Sequence, residues 1–266
     1  MKRSTHILII LFGAIALGFI VIVANVARSH SQVSGLKIKI DYGGQPQLVG
    51  DKVVADSIMR LNPGLLQQQV RNVDLEAVRE AASRVPYLTD CDASVSVGGK
   101  IVVKANQRRP IARVFYGERE FYIDGEGRAM PPSVTGDSYV TVAGGNFAER
   151  IDTLLYNRLD IKAMSTDSAT MNYGIVNVWK MACYLDANPD YGCLFDQMYL
   201  AENGDMILVP KLGDHTIVVG KIENLDNKFA RLQIFYTKVM PNCGWDAYIK
   251  LDLRFDDQVV CTKKTK

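Results

Sequence analysis

The chain opens with eighteen consecutive apolar residues, Ile7 to Ala24, behind a leader of six that includes Lys2 and Arg3. At about 1.5 Å per residue this run covers roughly 27 Å as a helix, the span of a bilayer's hydrocarbon core, and Asn25, Val26 and Ala27 carry it into the interface. The pattern predicts a tail over 1–6, a transmembrane helix over 7–27, a linker over 28–34, and all later residues on one side of a membrane. A cleavable secretory signal is the competing reading, with Ala24 or Ala27 as the small residue at the cut. The apolar run exceeds the roughly 7–15 residues of a signal core, and cleavage after Ala27 would put Asn25 where a small residue is wanted, so a retained anchor is favoured. Lys2 and Arg3 face Arg28, Lys37 and Lys39 across the span, so charge alone does not orient it.

Beyond the anchor the period shortens. Leu36 to Asp41 alternates apolar and charged residues, as in a strand with one buried face. Asp51–Leu61 places Val54, Ile58 and Leu61 on one helical stripe, stopped by Asn62-Pro63-Gly64; Asp74 can cap a second helix carrying Leu75, Val78, Ala82 and Val85. Asp92–Val97 and Lys100–Ala105 alternate again around Gly98-Gly99, which predicts a two-residue hairpin. The order is β-α-α-β-β, in which the first strand can pair with the hairpin under a cover of two helices and leave open sheet edges.

After Arg108-Arg109-Pro110 short strands take over: Ile111–Tyr116, Glu120–Ile123 and Tyr139–Val142. Helices are predicted over Ile151–Ile161 and over Ser168–Ala187, the second with Met171, Ile175, Val178, Trp179, Ala182 and Leu185 on one stripe. Gln197–Glu202 and Asp205–Val209 flank Asn203-Gly204 as a hairpin, Thr216–Val219 is another strand, and Leu225–Val239 is a helix with Leu225, Phe229, Leu232, Phe235 and Val239 on one face. Two strands finish the chain, Tyr248–Arg254 and Gln258–Thr262, joined around Asp256-Asp257. The fold class is α+β.

Composition narrows the function. The 31 basic and 29 acidic residues nearly cancel, with no basic block beyond Arg108-Arg109 and the terminal lysines, so nothing favours nucleic acid. The five cysteines, Cys91, Cys183, Cys193, Cys243 and Cys261, show no C-x-x-C spacing, which argues against zinc. In an oxidising compartment Cys183 with Cys193, or Cys243 with Cys261, could bridge; thiols packed as small hydrophobes are the alternative.

Convergent catalytic groups are hard to find. Of three histidines, His6 and His30 flank the anchor and only His215 falls inside a domain, where a satisfied structural role is the simpler reading. The chain lacks G-x-S-x-G, S-x-x-K, H-E-x-x-H and the Walker and Rossmann glycine patterns. Asp124-Gly125-Glu126-Gly127 reads as a tight turn, since a calcium loop needs further acidic ligands, and Asp256-Asp257 reads as a solvated turn. No catalytic residue, metal, cofactor or small-molecule substrate is expected.

These elements, in this order, resemble the FtsQ/DivIB family of bacterial cell-division proteins. The resemblance rests on Gln107-Arg108-Arg109-Pro110-Ile111-Ala112 at the junction, on Phe121-Tyr122-Ile123-Asp124-Gly125-Glu126-Gly127 after it, and on Asp252-Leu253-Arg254-Phe255 near the end, where phenylalanine replaces the commoner tyrosine. It implies a POTRA domain over 35–106, an FtsQ-type β domain over 107–262 and a tail at 263–266. It also implies a non-enzymatic scaffold in the cytoplasmic (inner) membrane at the division septum, with the N-terminus in the cytoplasm. The implied partners are FtsB-like and FtsL-like proteins and other divisome components, bound by strand addition to the last strand. Arg254, Phe255, Val259, Val260 and Cys261 are the candidate partner-binding residues: Arg254 to hold a partner carboxylate, Phe255 and Val260 as apolar anchors. Alternatively, Leu251, Leu253 and Phe255 simply alternate into the core. The competing classes are a membrane-anchored periplasmic enzyme with unrecognised carboxylates and another POTRA-bearing envelope assembly component.

Overall fold

The structure is a computed structural model, and its described residues are 12–20, 31–133, 140–150 and 159–265. Residues 12–20 are helical. The rest of the span expected over 7–27 lies outside the described residues, and among those described no helix is long and apolar enough to cross a membrane. The chain divides into two units after Arg108.

The first unit holds β1 (Gly35–Asp41), α1 (Asp51–Leu61), α2 (Leu75–Ser83), β2 (Leu88–Val95) and β3 (Lys100–Gln107). The sheet order is β1-β3-β2, with β1 parallel and β2 antiparallel to the central strand. Alternation turns Ile101, Val103 and Ala105 inward, where with Ile38 they meet Val54 and Ile58 of α1 and Val78, Ala81 and Ala82 of α2. Local chemistry sets the ends of the helices. Asn62 returns both its backbone N–H and its side-chain amide to the Ile58 carbonyl, at 2.9 and 3.1 Å, just before Pro63. Asp74 accepts the Ala77 N–H at 3.0 Å and caps α2.

The β2–β3 connection differs from the two-residue hairpin expected. Gly99 N–H returns to the Ser96 carbonyl, so the turn spans Ser96–Gly99 and only Gly99 takes a positive φ. The strand also begins earlier than Asp92, at Leu88, because a bulge at Thr89–Asp92, with Asp90 at φ +50°, breaks the alternation that marks a strand in the sequence.

The second unit is a nine-stranded sheet with helices. Its strands are β4 (Pro110–Tyr116), β5 (Arg119–Asp124), β6 (Ala129–Met130), β7 (Thr141–Gly145), β8 (Phe195–Leu200), β9 (Met206–Pro210), β10 (Thr216–Gly220), β11 (Tyr248–Asp252) and β12 (Val260–Lys263). The order is β12-β11-β10-β9-β8-β7-β4-β5-β6, with β4/β7, β7/β8 and β10/β11 parallel. The helices are α3 (Ile161–Met164), α4 (Gly174–Ala187), α5 (Pro189–Gly192), α6 (Leu225–Lys238) and α7 (Met240–Cys243). Ile175, Val178, Met181 and Leu185 of α4 and Phe229, Leu232 and Phe235 of α6 pack with Phe195, Leu208, Ile217 and Leu251 of the sheet.

Here the sequence expectations need more correction. The helix expected from Ser168 begins at Gly174, after turns that leave Met171 exposed rather than on the stripe. The start is fixed from a distance: the Glu149 carboxylate accepts the N–H groups of Gly174 and Ile175 at 3.2 and 2.7 Å. Of the helix expected over Ile151–Ile161, residues 151–158 lie outside the described residues, and Ile161 instead opens α3, capped by Asp160 at 3.0 Å from Ala163 N–H. Tyr139 also lies outside the described residues, and β7 begins at Thr141. Asp124 to Gly127 is a tight turn closed by Gly127 N–H on the Asp124 carbonyl, at 3.0 Å.

Candidate partner-binding edge

β12 ends the nine-stranded sheet. One side pairs with β11 in antiparallel register, Leu251 with Cys261 and Asp252 with Val260, and among the described residues no strand lies on the other side. Its free N–H and C=O groups form an edge that another chain can extend. Lys264 prolongs the pairing inward, its N–H on the Ala247 carbonyl at 3.0 Å, and its ammonium meets Asp214 at 3.0 Å.

What fixes this edge begins in the core. Phe229 is fully buried, its ring 4.9 Å from Tyr184, 5.0 Å from Tyr191 and 6.0 Å from Phe195, and these contacts seat α6 against the sheet. Two residues on, Arg231 reaches the β11–β12 connection. Its guanidinium donates to the carbonyls of Leu253 at 3.1 Å, Gln258 at 2.6 Å and Phe255. One cation thus collects three carbonyls of a turn in which Asp257 has φ +56°. Arg231 gives no sign of this in the sequence, where it is simply a charge on the polar face of α6.

Arg254 forms a second brace. Its Nε and Nη2 bind both oxygens of Asp252, at 2.9 and 2.6 Å, while Nη1 binds Asp205 on the β8–β9 hairpin at 3.0 Å. Asp252 and Asp205 are buried carboxylates. Burial alone would raise the Asp252 pKa, but the hydrogen bonds from Arg254 outweigh it and hold the carboxyl below its usual range; the same bonds raise Arg254. The arginine stem crosses Gly220, where φ is +78° and a Cβ would sit 2.6 Å from Arg254 Cγ, so glycine is required there. The expectation that Arg254 holds a partner's carboxylate therefore meets a guanidinium already engaged by two carboxylates of its own chain.

The remaining candidates divide. Leu251 and Leu253 turn into the core, whereas Phe255 is 45% and Val260 38% exposed, an apolar pair on the rim of the edge. Val259 and Cys261 are half-buried and pack against the core. All five cysteines are free thiols. Burial pushes Cys183 up to about 11 and also raises Cys261, an environment that keeps thiols protonated and unreactive.

His215 is buried at the start of β10, with Nε2 2.8 Å from the Tyr236 hydroxyl. Lys228, also buried, donates to the Lys221 carbonyl at 2.9 Å, and burial lowers its pKa. Lys228 lies on α6 and His215 bonds to Tyr236 of the same helix, so both serve the packing of α6.

Comparison with known proteins adds one finding: a family model described as FtsQ/DivIB, C-terminal related, matches residues 109–262. No curated protein matches the chain.

Proposed function

The chain belongs to the FtsQ/DivIB C-terminal related family, whose role is in cell division, and on that premise we propose that it is a bitopic, non-enzymatic scaffold of the bacterial division complex. Residues 7–27 anchor it in the cytoplasmic membrane with the N-terminus inside. Residues 35–106 form a POTRA-like module, and the nine-stranded unit presents β12 outside the membrane at the septum. FtsB-like and FtsL-like partners add a strand to that edge, and in doing so they support septal cell-wall synthesis.

The observation that carries the reading is an unfilled edge whose turn is held in place before any partner arrives. Arg231 and Arg254 order the chain between β11 and β12, so an incoming strand does not bear the cost of fixing it. Main-chain bonds along β12 supply affinity, and Phe255 and Val260 supply the apolar contact that selects the partner. Arg254 acts from behind the edge, as the residue that positions it.

The test is the double variant Phe255→Glu with Val260→Glu in the full chain, assayed for binding of the FtsB-like partner. Both side chains are exposed, so the thermal midpoint stays within a degree or two of the parent's. Affinity falls by about thirtyfold or more, the scale of a lost hot spot of ~2 kcal/mol. Unchanged affinity in a folded variant removes the site. A fluorescent fusion that stays diffuse in the envelope of dividing cells removes the scaffold.

A further inference from the structure

The three-stranded sheet has a face that the helices do not cover. Lys37 and Lys39 of β1 and Lys100 and Lys104 of β3 all lie on it, and all four are exposed. The register brings them together: Lys39 pairs directly with Lys104, Lys37 with Val102, and Gly35 with Lys100. Lys100 and Lys104 are about 13 Å apart along one strand, and the neighbouring strand lies ~5 Å away. The four lysine Cα positions thus lie within one to two screening lengths of each other at physiological salt, roughly 8 Å each. Like charges directly opposite each other on a sheet are destabilising. Among the described residues none of the four forms an ion pair; Asp92 of β2 stands in register with Lys104, and Asp41, two residues beyond Lys39, and Asp90, bonded to Asn106, lie on the same face at the end away from Lys100.

We propose that this lysine face docks on the anionic phospholipid headgroups of the bilayer that anchors the chain. The array is spread over two paired strands and made of lysines, point charges on flexible stems, which suits a carpet of phosphates better than a single anion in a pocket. Its position in the chain agrees. The proposal rests on residues 7–27 being the anchor, after which the linker over 28–34 spans at most about 25 Å and keeps β1 within reach of the headgroups.

The experiment uses the full chain reconstituted in vesicles of neutral phosphatidylcholine, or of the same lipid with about a third phosphatidylglycerol, the range in which surface charge is felt. An amine-acetylating reagent is applied and its extent read at each lysine by mass spectrometry. Lys37, Lys39, Lys100 and Lys104 are acetylated about threefold or more slowly on the anionic vesicles, and about 0.5 M salt restores the neutral-lipid rate. Lys162 and Lys238 on the second unit keep one rate throughout. In the variant Lys39→Gln with Lys104→Gln, and separately in Lys37→Gln with Lys100→Gln, the remaining pair loses at least half of its protection.

Rates indifferent to lipid charge overturn the proposal. So does protection that appears on neutral vesicles with free phosphate or an acidic peptide alone. Alkaline extraction from neutral vesicles tests the anchor independently. If the chain is released there, salt-reversible retention on anionic vesicles still supports the lysine face, and lack of retention overturns it.

Discussion

In the three-stranded unit, the groups that fix each helix lie beside it in the chain: Asp74 caps α2 three residues on, and Asn62 closes α1 onto a carbonyl four residues back. In the nine-stranded unit Asp160 still caps α3 and Asn188 closes α4 onto a carbonyl four residues back, but further work is done from afar. Glu149 caps α4 across 25 and 26 residues, Arg231 gathers carbonyls 22 to 27 residues away, and Arg254 pairs with Asp205 across 49. The first arrangement makes each element nearly self-sufficient. The second makes the helices, the sheet and the β12 edge depend on one another, so damage at one point should spread through that unit.

The sharpest way to break the contrast is Gly145→Ala, at the end of β7. The backbone there has φ +130°, and an added Cβ would lie 2.2 Å from the Leu200 carbonyl oxygen and 2.5 Å from its nitrogen, on the strand it pairs with. Backbone cannot yield as a side-chain tip can, so β7 and β8 must separate, at a cost of about 3 kcal/mol or more. Amide exchange should show lost protection across β7, β8 and α4, with β1 to β3 unchanged. An effect confined to residues next to Gly145 would contradict the interdependence claimed for this unit.

A matched pair comes next in size. Arg231→Ala leaves three carbonyls without their charged donor and should cost about 2 kcal/mol, read as faster exchange along β11 and β12 and weaker binding at that edge. Asp74→Ala removes one local cap and should cost about 1 kcal/mol, read only in α2. If Arg231→Ala changed exchange no further than its own turn, the brace would be local after all.

The same contrast explains what the sequence could disclose. Asp51–Leu61 was legible to the residue, because its apolar stripe and its stop signal are contiguous. So were Asp74 as a cap and the span of α6 to within a residue. The late start of α4 was not, because the six residues from Ser168 continue a helical pattern and the carboxylate that sets Gly174 as the first turn is far upstream. Likewise the final strand was legible as a strand and as a candidate edge. That Arg254 faces Asp205 and Asp252, and that Arg231 holds the turn, depends on neighbours no local window contains.

The smallest expected effect is one of pH, and it separates the units by what each one buries. Among the described residues the buried polar side chains of the first unit are Ser57 and Gln107, which do not titrate, while the second buries His215 and Asp252. Burial lowers the His215 pKa; the Trp245 carbonyl and the Asp214 and Asp246 carboxylates pull the other way without prevailing, and Lys264 is drawn to Asp214 on the same side. A histidine depressed in the folded chain contributes stability in full above its ordinary value near 6.5, and loses it as the pH falls from there through the lowered folded value, because the unfolded chain takes up the proton first. Denaturant unfolding of the second unit should therefore weaken between pH 7 and pH 5 in the parent and change less in His215→Gln, which retains a polar group toward Tyr236 but cannot be charged. Asp252 adds its own loss at lower pH, from its ordinary value near 3.8 down through the folded value that Arg254 depresses. A parent and variant with the same slope from pH 7 to 5 would show that His215 does not feel its burial.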